Sequence, residues 1–270
     1  LALGRLGGRA LTHASDLDLV YLFTGTLDAQ SDGPKPLEAT RYFNRLAQRV
    51  TAALSVPTAA GALYQIDTRL RPSGGKGLLA VTLDSFADYQ RREAWTWEHM
   101  ALARARPVFG SLEACRAAQA IITDTLRLPR EPVRLVADVV AMRGDLARHK
   151  SPAGPLDAKL MRGGLVDLEF CVHAAQLEHG IALSPELPDA IDALVHAGHL
   201  PPAMRRAHDV LTRLLVAMRL VAPDAQEPAP PTRALVARAC GFDGWEALLA
   251  AYADARQCVG HAWAGVEERR

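Results

Sequence analysis

The sequence has little cysteine, and its four cysteines, Cys115, Cys171, Cys240 and Cys258, are scattered with no C-x-x-C pair among them. That spacing argues against a disulfide framework or a thiolate zinc site and reads as the reduced thiols of a cytoplasmic protein. There is no apolar run near the roughly 20 residues that span a bilayer, so no membrane partner is expected. Neither sign of charge prevails: 31 Lys+Arg stand against 30 Asp+Glu, for a formal net charge of +1. A broad polyanion-binding surface is therefore not expected, and nucleic acid is a poor candidate partner. The opening Leu1-Ala2-Leu3-Gly4-Arg5-Leu6-Gly7-Gly8 lacks the basic region and cleavage site of a signal peptide. It also lacks an initiating Met and starts directly on a glycine motif, as a piece of a longer protein would.

What is present suffices for folding. The 270 residues are 49% apolar and 23% charged, enough to bury the core of one large domain or two modest ones. Residues 1–110 carry the mixed patterns of an α/β region and residues 111–270 are almost wholly helical in pattern, so the fold expected is α+β, with a small mixed sheet followed by an all-α helical bundle. Asp18–Phe23 is a short apolar run suited to a buried strand. Thr24–Lys35 is rich in Gly, Ser, Asp and Pro and reads as a loop. Between Pro36 and Leu54 the apolar Tyr42, Leu46, Val50 and Leu54 recur at i+4, one stripe of a helix. From Leu63 to Arg71, Gln65, Asp67, Arg69 and Arg71 alternate with Tyr64, Ile66, Thr68 and Leu70, which a strand would sort onto a polar and an apolar face. Pro72–Gly77 closes it as a glycine-rich loop. Helices are expected at 111–125, 133–148, 165–179, 187–197, 201–221 and 242–263, and Ala225–Pro231 as a stiff loop between helices.

The chemistry concentrates near the start. Asp16 and Asp18, two residues apart on an extended segment, point the same way at about 6–7 Å separation. Close carboxylates repel unless a cation lies between them. Hard oxygen ligands completed by phosphate are what Mg²⁺ prefers. Gly7 and Gly8 allow backbone to approach a triphosphate without an intervening side chain. Asp67 supplies a third carboxylate beside Arg69 and Arg71. Each piece alone is more often a solvated turn or loop; together, in this order, they form a metal-and-triphosphate arrangement.

Gly-Gly followed by Asp-x-Asp at this spacing resembles the polymerase-β-type nucleotidyltransferase superfamily. Longer matches resemble glutamine synthetase adenylyltransferase: Leu3–Leu11, Ser15–Val20, Arg41–Arg49 (Arg-Tyr-Phe-Asn-Arg-Leu-Ala-Gln-Arg), Tyr64–Gly74, Ala94–Arg106 and Gly163–Phe170. Ala10 stands where that family commonly has an acidic residue. The resemblance implies a nucleotidyltransferase domain at 1–110, its first strand truncated, and a helical bundle domain at 111–270. It implies ATP as substrate, Mg²⁺ held by Asp16, Asp18 and Asp67, and a triphosphate cradled by Gly7, Gly8 and Ser15. Asp67 would complete the metal site and could take the proton of an attacking tyrosine hydroxyl. Arg69 and Arg71 would either clamp phosphate oxygens or merely orient Asp67, and both readings stand. The partner implied is glutamine synthetase, with a PII signal protein acting through regions elsewhere.

Arg71-Pro-Ser-Gly74 and Ala94–His99 resemble the adenylyl-attaching, carboxy-terminal half of that family. The alternatives are the adenylyl-removing half, a uridylyltransferase acting on PII, or a non-catalytic nucleotide-sensing module. Trp95 and Trp97 are read as core or interface anchors sooner than as an adenine stack. Asp167 and Glu169 are read as a structural link between domains, and the leucine stripe at 211–218 as core.

Overall fold

The computed structural model describes residues 1–61 and 64–270 and divides into two compact units, Leu1–Leu128 and Pro129–Arg270. The first holds α1 (Gly4–Gly7), β1 (Leu17–Asp18), β2 (Tyr21–Phe23), α2 (Ala39–Ser55), β3 (Ile66–Asp67), β4 (Ala80–Thr82), α3 (Leu83–Arg92), α4 (Thr96–Leu102) and α5 (Leu112–Leu126). The second holds α6 (Pro132–His149), α7 (Leu165–His179), α8 (Leu187–His196), α9 (Met204–Val221), α10 (Pro230–Cys240) and α11 (Trp245–Glu267). The division falls after Leu128, because α5 packs on α3 and α4. The nucleotidyltransferase and bundle domains expected at 1–110 and 111–270 thus divide the chain ahead of α5.

The apolar run Asp18–Phe23 forms strand as expected and is the spine of the first unit. β1 pairs parallel with β3 and β2 pairs parallel with β4. Ala2 adds antiparallel bridges to both Leu19 and Arg106, so residues from the very start of the chain contribute to the sheet region. The strand expected from Leu63 to Arg71 is much shorter. Leu63 lies outside the described residues, β3 spans only Ile66–Asp67, and Arg69 begins a turn. Alternation alone does not hold a strand when each side chain past Asp67 bonds locally, as Arg69 and Arg71 do.

Helix α2 lies against this sheet through Ala39, Phe43 and Ala47, with Phe43 stacked on Phe23 at 4.4 Å. Asn44 fixes it there: its amide nitrogen donates to the Ala80 carbonyl at 3.0 Å, and its carbonyl accepts from the Leu79 and Ala80 amides at 2.8 and 3.1 Å. The i+4 stripe that marks this helix in the sequence lies on its outer face instead, Tyr42, Leu46, Val50 and Leu54 being 38–46% exposed. Small residues face the sheet because the backbone must come close, which leaves the larger ones outside.

In the second unit α7 is buried along most of its length, with polar side chains such as Asp167, His173 and Gln176 buried among its apolar ones, the mark of a central helix. Phe170 on it meets Trp263 of α11 edge to face at 5.9 Å, and Trp263 is fully buried. The stripe at Leu211, Leu214, Leu215 and Met218 is core, as its period requires. Helix α10 was not legible: Pro230 and Pro231 read as loop, yet they occupy the first turn, where a missing amide hydrogen costs nothing.

Asp167 is fully buried and accepts from Arg143 Nε of α6 at 2.5 Å and from the Gly163 amide at 2.6 Å. Its link is therefore between α6, α7 and the 163 turn, all within the second unit, and not the inter-domain link expected from sequence. Arg143→Ala strands that carboxylate without its counter-charge and is expected to cost the second unit about 3–5 kcal/mol, read by chemical denaturation followed at its tryptophans. A loss under 1 kcal/mol would contradict the assignment.

Candidate active site

The candidate site is built on one register. Leu17 pairs with Ile66 and Asp18 with Asp67 across parallel β1 and β3, so two carboxylates stand side by side on neighbouring strands. Asp16, on the irregular segment just before β1, is exposed. Asp18 feels both of the others. Burial first, then Asp67 and Asp16, raise the Asp18 carboxyl above the ordinary carboxylate range, against the opposing pull of Arg104 and Arg69. Asp67 moves the other way, its carboxyl lowered mainly by the side-chain hydrogen bonds from Arg69.

Arg69 is bidentate on Asp67: Nε donates to Oδ1 and Oδ2 at 3.0 and 2.9 Å, Nη2 to Oδ2 at 2.5 Å, and the Arg69 amide to Oδ1 at 2.8 Å. The rest of its side chain is 82% exposed. Of the two readings open for this arginine, orientation of Asp67 is the contact made. Arg71 does something else. Its guanidinium donates to the carbonyls of Thr68, Gly75 and Gly77 at 2.9, 3.1 and 3.2 Å and so staples the glycine-rich loop closed. Ser73 in that loop takes a left-handed conformation at φ 59°.

The amino-terminal glycines pack before they could bind. The amide of Gly7 donates to the Leu3 carbonyl at 2.7 Å and that of Gly8 to Gly4 at 3.1 Å, closing the single turn of α1. A Cβ on Gly7 would stand 1.9 Å from the Arg104 carbonyl oxygen, and one on Gly4 2.1 Å from Asp18 Oδ2, with Gly4 at φ +53°. Glycine is required at both for close approach, in one case to backbone and in the other to a candidate metal ligand. Gly4 was not among the residues singled out by sequence, since only the folded chain sets it against Asp18. Ser15 is buried and closes a local turn: its hydroxyl accepts from the Thr12 amide at 2.9 Å and pairs with the Thr12 hydroxyl at 3.0 Å.

Three further residues escaped the sequence reading. Arg106 donates to the Gly7 and Leu6 carbonyls at 2.8 and 3.2 Å and so holds the end of α1. Tyr89 donates to Glu98 Oε1 at 2.9 Å, while Glu98 Oε2 accepts from the Trp95 amide at 2.9 Å and caps α4. Burial and the bond to Glu98 raise the Tyr89 phenol above its ordinary range, against a smaller opposing pull from the Ser73 backbone. The signature segment Ala94–His99 is thus tied to α3 through one phenol. Trp95 and Trp97 are 70% and 41% exposed, so neither is a core residue.

Among the described residues no group of three His, Cys, Asp or Glu is assembled as a metal cage. The donor chemistry nevertheless fits a hard divalent cation: Asp18 and Asp67 side by side with Asp16 within electrostatic reach, all oxygen ligands, their mutual repulsion only partly answered by Arg69 and Arg104. Mg²⁺ commonly takes one or two protein carboxylates and leaves the rest of its sphere to water and phosphate.

The sign of the Asp18 perturbation is testable. A carboxyl raised in the fold is stabilised protonated, so its cost to the fold is absent below the unfolded value and grows as pH rises through the raised one. Asp18→Asn, which cannot ionise, is expected to gain in melting temperature over the parent between pH 4 and pH 7, measured without divalent metal. A gap that narrows with rising pH would contradict the raised carboxyl.

Residues 1–120 match the family Glutamate-ammonia ligase adenylyltransferase, and residues 138–266 match GlnD PII-uridylyltransferase. The chain is 41% identical over 258 residues to the bifunctional glutamine synthetase adenylyltransferase/adenylyl-removing enzyme of Brucella melitensis biotype 1, covering 92% of this chain and 26% of that relative. It is 43% identical over 267 residues to the enzyme of the same name from Xanthomonas campestris pv. campestris, covering 94% of this chain and 27% of the relative. Against that of Stenotrophomonas maltophilia it is 44% identical over 247 residues, 88% of this chain and 26% of the relative. Spanning about a quarter of the length of these relatives, the chain is similar over nearly its whole own length to enzymes named as glutamine synthetase adenylyltransferases.

Proposed function

We propose that this chain carries the adenylylating site: a polymerase-β-type nucleotidyltransferase domain that moves AMP from ATP to a tyrosine of glutamine synthetase and releases pyrophosphate. The observation that carries the reading is the side-by-side placement of Asp18 and Asp67 with Asp16 in electrostatic reach. Names of the relatives, which include both attachment and removal of the adenylyl group, set the reaction class. The match to a PII-uridylyltransferase family is confined to residues 138–266, which contain none of these carboxylates.

In this reading Asp16, Asp18 and Asp67 would hold Mg²⁺, which when bound neutralises charge on the triphosphate. The tyrosine oxygen attacks the α-phosphorus, the bond from that phosphorus to the bridging oxygen breaks, and pyrophosphate leaves with the electron pair. The phenolic proton passes to a carboxylate or to solvent. The lowered carboxyl of Asp67 suits it to ligation more than to taking that proton. Arg69, mostly exposed and tethered only at Asp67, is free to swing its charge onto phosphate oxygens once a cation occupies its present place. Gly7, Gly8 and Ser15 would cradle the triphosphate, Gly4 leaving room for the Asp18 carboxylate and Ser15 closing its turn on Thr12. PII control would act through parts of the relatives that this chain does not span.

The second reading is the adenylyl-removing half, in which phosphate attacks the adenylyl-tyrosine. The family names carry both activities. Ser73 and the Trp95–Trp97 segment, which resemble the attaching half, favour the first.

The test is transfer of label from α-labelled ATP to purified glutamine synthetase with Mg²⁺, beside Asp18→Asn. Label on a synthetase tyrosine is expected, with the variant slower by at least about a thousandfold. Absence of label with the parent chain, together with phosphate-dependent release of AMP from adenylylated synthetase, would establish the removing half instead.

A further inference from the structure

We infer that the outer face of α2 docks an acidic, apolar-studded helical segment of the protein substrate, an inference that rests on the proposed transfer to a protein tyrosine. Helix α2 contains no acidic residue, Glu38 standing outside it at the N-cap position. It carries Arg41, Arg45 and Arg49 at i+4 steps, all exposed, and among the described residues none of the three has an ion-pair or hydrogen-bond partner on its side chain. In a chain whose charges nearly balance overall, three unanswered cations on one helix are a local excess that the fold itself does not use.

Beside them runs the exposed apolar stripe of Tyr42, Leu46, Val50 and Leu54. Arg45 follows Tyr42 by three residues and Arg49 follows Leu46 by three, so each cation sits next to an apolar side chain on the helix surface. The helix is held rigidly from behind, by Phe43 on Phe23 and by Asn44 on the β4 backbone, so this face is presented preformed. Two parallel ridges run along the axis, the basic one for about 12 Å and the apolar one for about 18 Å. That is the complement of a single amphipathic helix of about a dozen residues with acidic and apolar side chains at i, i+3 and i+4.

A bilayer fits less well: the apolar side chains are less than half exposed, and the helix contains no tryptophan or lysine to insert or anchor. The contact is small by the standard of stable complexes, which suits a substrate that must dissociate after one transfer. Docking remote from the reacting tyrosine supplies binding that a single phenol cannot.

The test compares the full chain with a variant carrying Arg41→Glu, Arg45→Glu and Arg49→Glu together, and with Leu46→Gln, each checked for an unchanged melting temperature. Affinity for immobilised glutamine synthetase is read without ATP, and KM and kcat are read in the labelled transfer. The triple variant is expected to bind at least about tenfold more weakly and to raise KM for the synthetase by a similar factor, with kcat and KM for ATP unchanged. Leu46→Gln is expected to weaken binding several-fold, and added salt to weaken the parent but not the triple variant. Equal affinity in parent and triple variant, or no binding by the parent, overturns the inference. So does loss of capture by phosphatidylserine vesicles with synthetase binding unchanged, which would make the face a membrane contact. Failure of the proposed reaction is distinguishable: it appears as absence of label with the parent chain while charge-dependent synthetase binding persists.

Discussion

Two carboxylates held side by side against their own repulsion are what the first unit is organised around. The parallel register of β1 on β3 sets Asp18 next to Asp67, and neither can turn away without breaking the pairing that aligns them. The consequences are opposite for the two. Asp18, the more buried, carries the cost as a raised carboxyl, while Asp67 is relieved by a bidentate arginine. Such an arrangement opposes folding and favours a cation, which is how a binding site differs from a structural ion pair.

Much of the surrounding sequence is accounted for by this one constraint. Gly4 has to be glycine because Asp18 Oδ2 occupies the space a Cβ would take, and Gly7 because the chain at Arg104 passes against it. Arg106 and the Ala2 bridges hold α1 in that position. On the far side, Arg71 closes the loop that follows β3, and Tyr89 of α3 bonds the Glu98 cap of α4. Residues that resemble binding motifs are therefore also the frame. The second unit is ordered by a separate logic, a central, buried α7 with the buried Arg143–Asp167 pair.

The helices of the second unit were largely legible because their periodicity is a direct image of burial: Leu211, Leu214, Leu215 and Met218 are where the 3.6-residue period puts them. Where the image failed, a competing cause is identifiable. Helix α10 hid behind two prolines that end most helices but start this one. The stripe on α2 kept its period but faced outward, because Ala39 and Ala47 allow the closer approach to the sheet. The strand read through Arg71 was cut short by side chains that bond to their own turn.

Residue types and their order singled out Asp16, Asp18 and Asp67, without any coordinates, as candidates for one kind of chemistry, because acidic residues in that order after paired glycines suit a metal and a triphosphate. Composition likewise gives no reason to expect a broad polyanion surface, and among the described residues no helix is long and apolar enough to cross a membrane. Only the tertiary structure decided which groups answer those charges. Arg69 orients Asp67, Arg71 serves the loop, Gly4 makes room for Asp18, and Arg41, Arg45 and Arg49 are left unanswered on α2. A one-dimensional pattern records which side chains are charged, whereas the energy of each charge depends on its distance to the others and its depth from water. Both are set by strand register and helix packing.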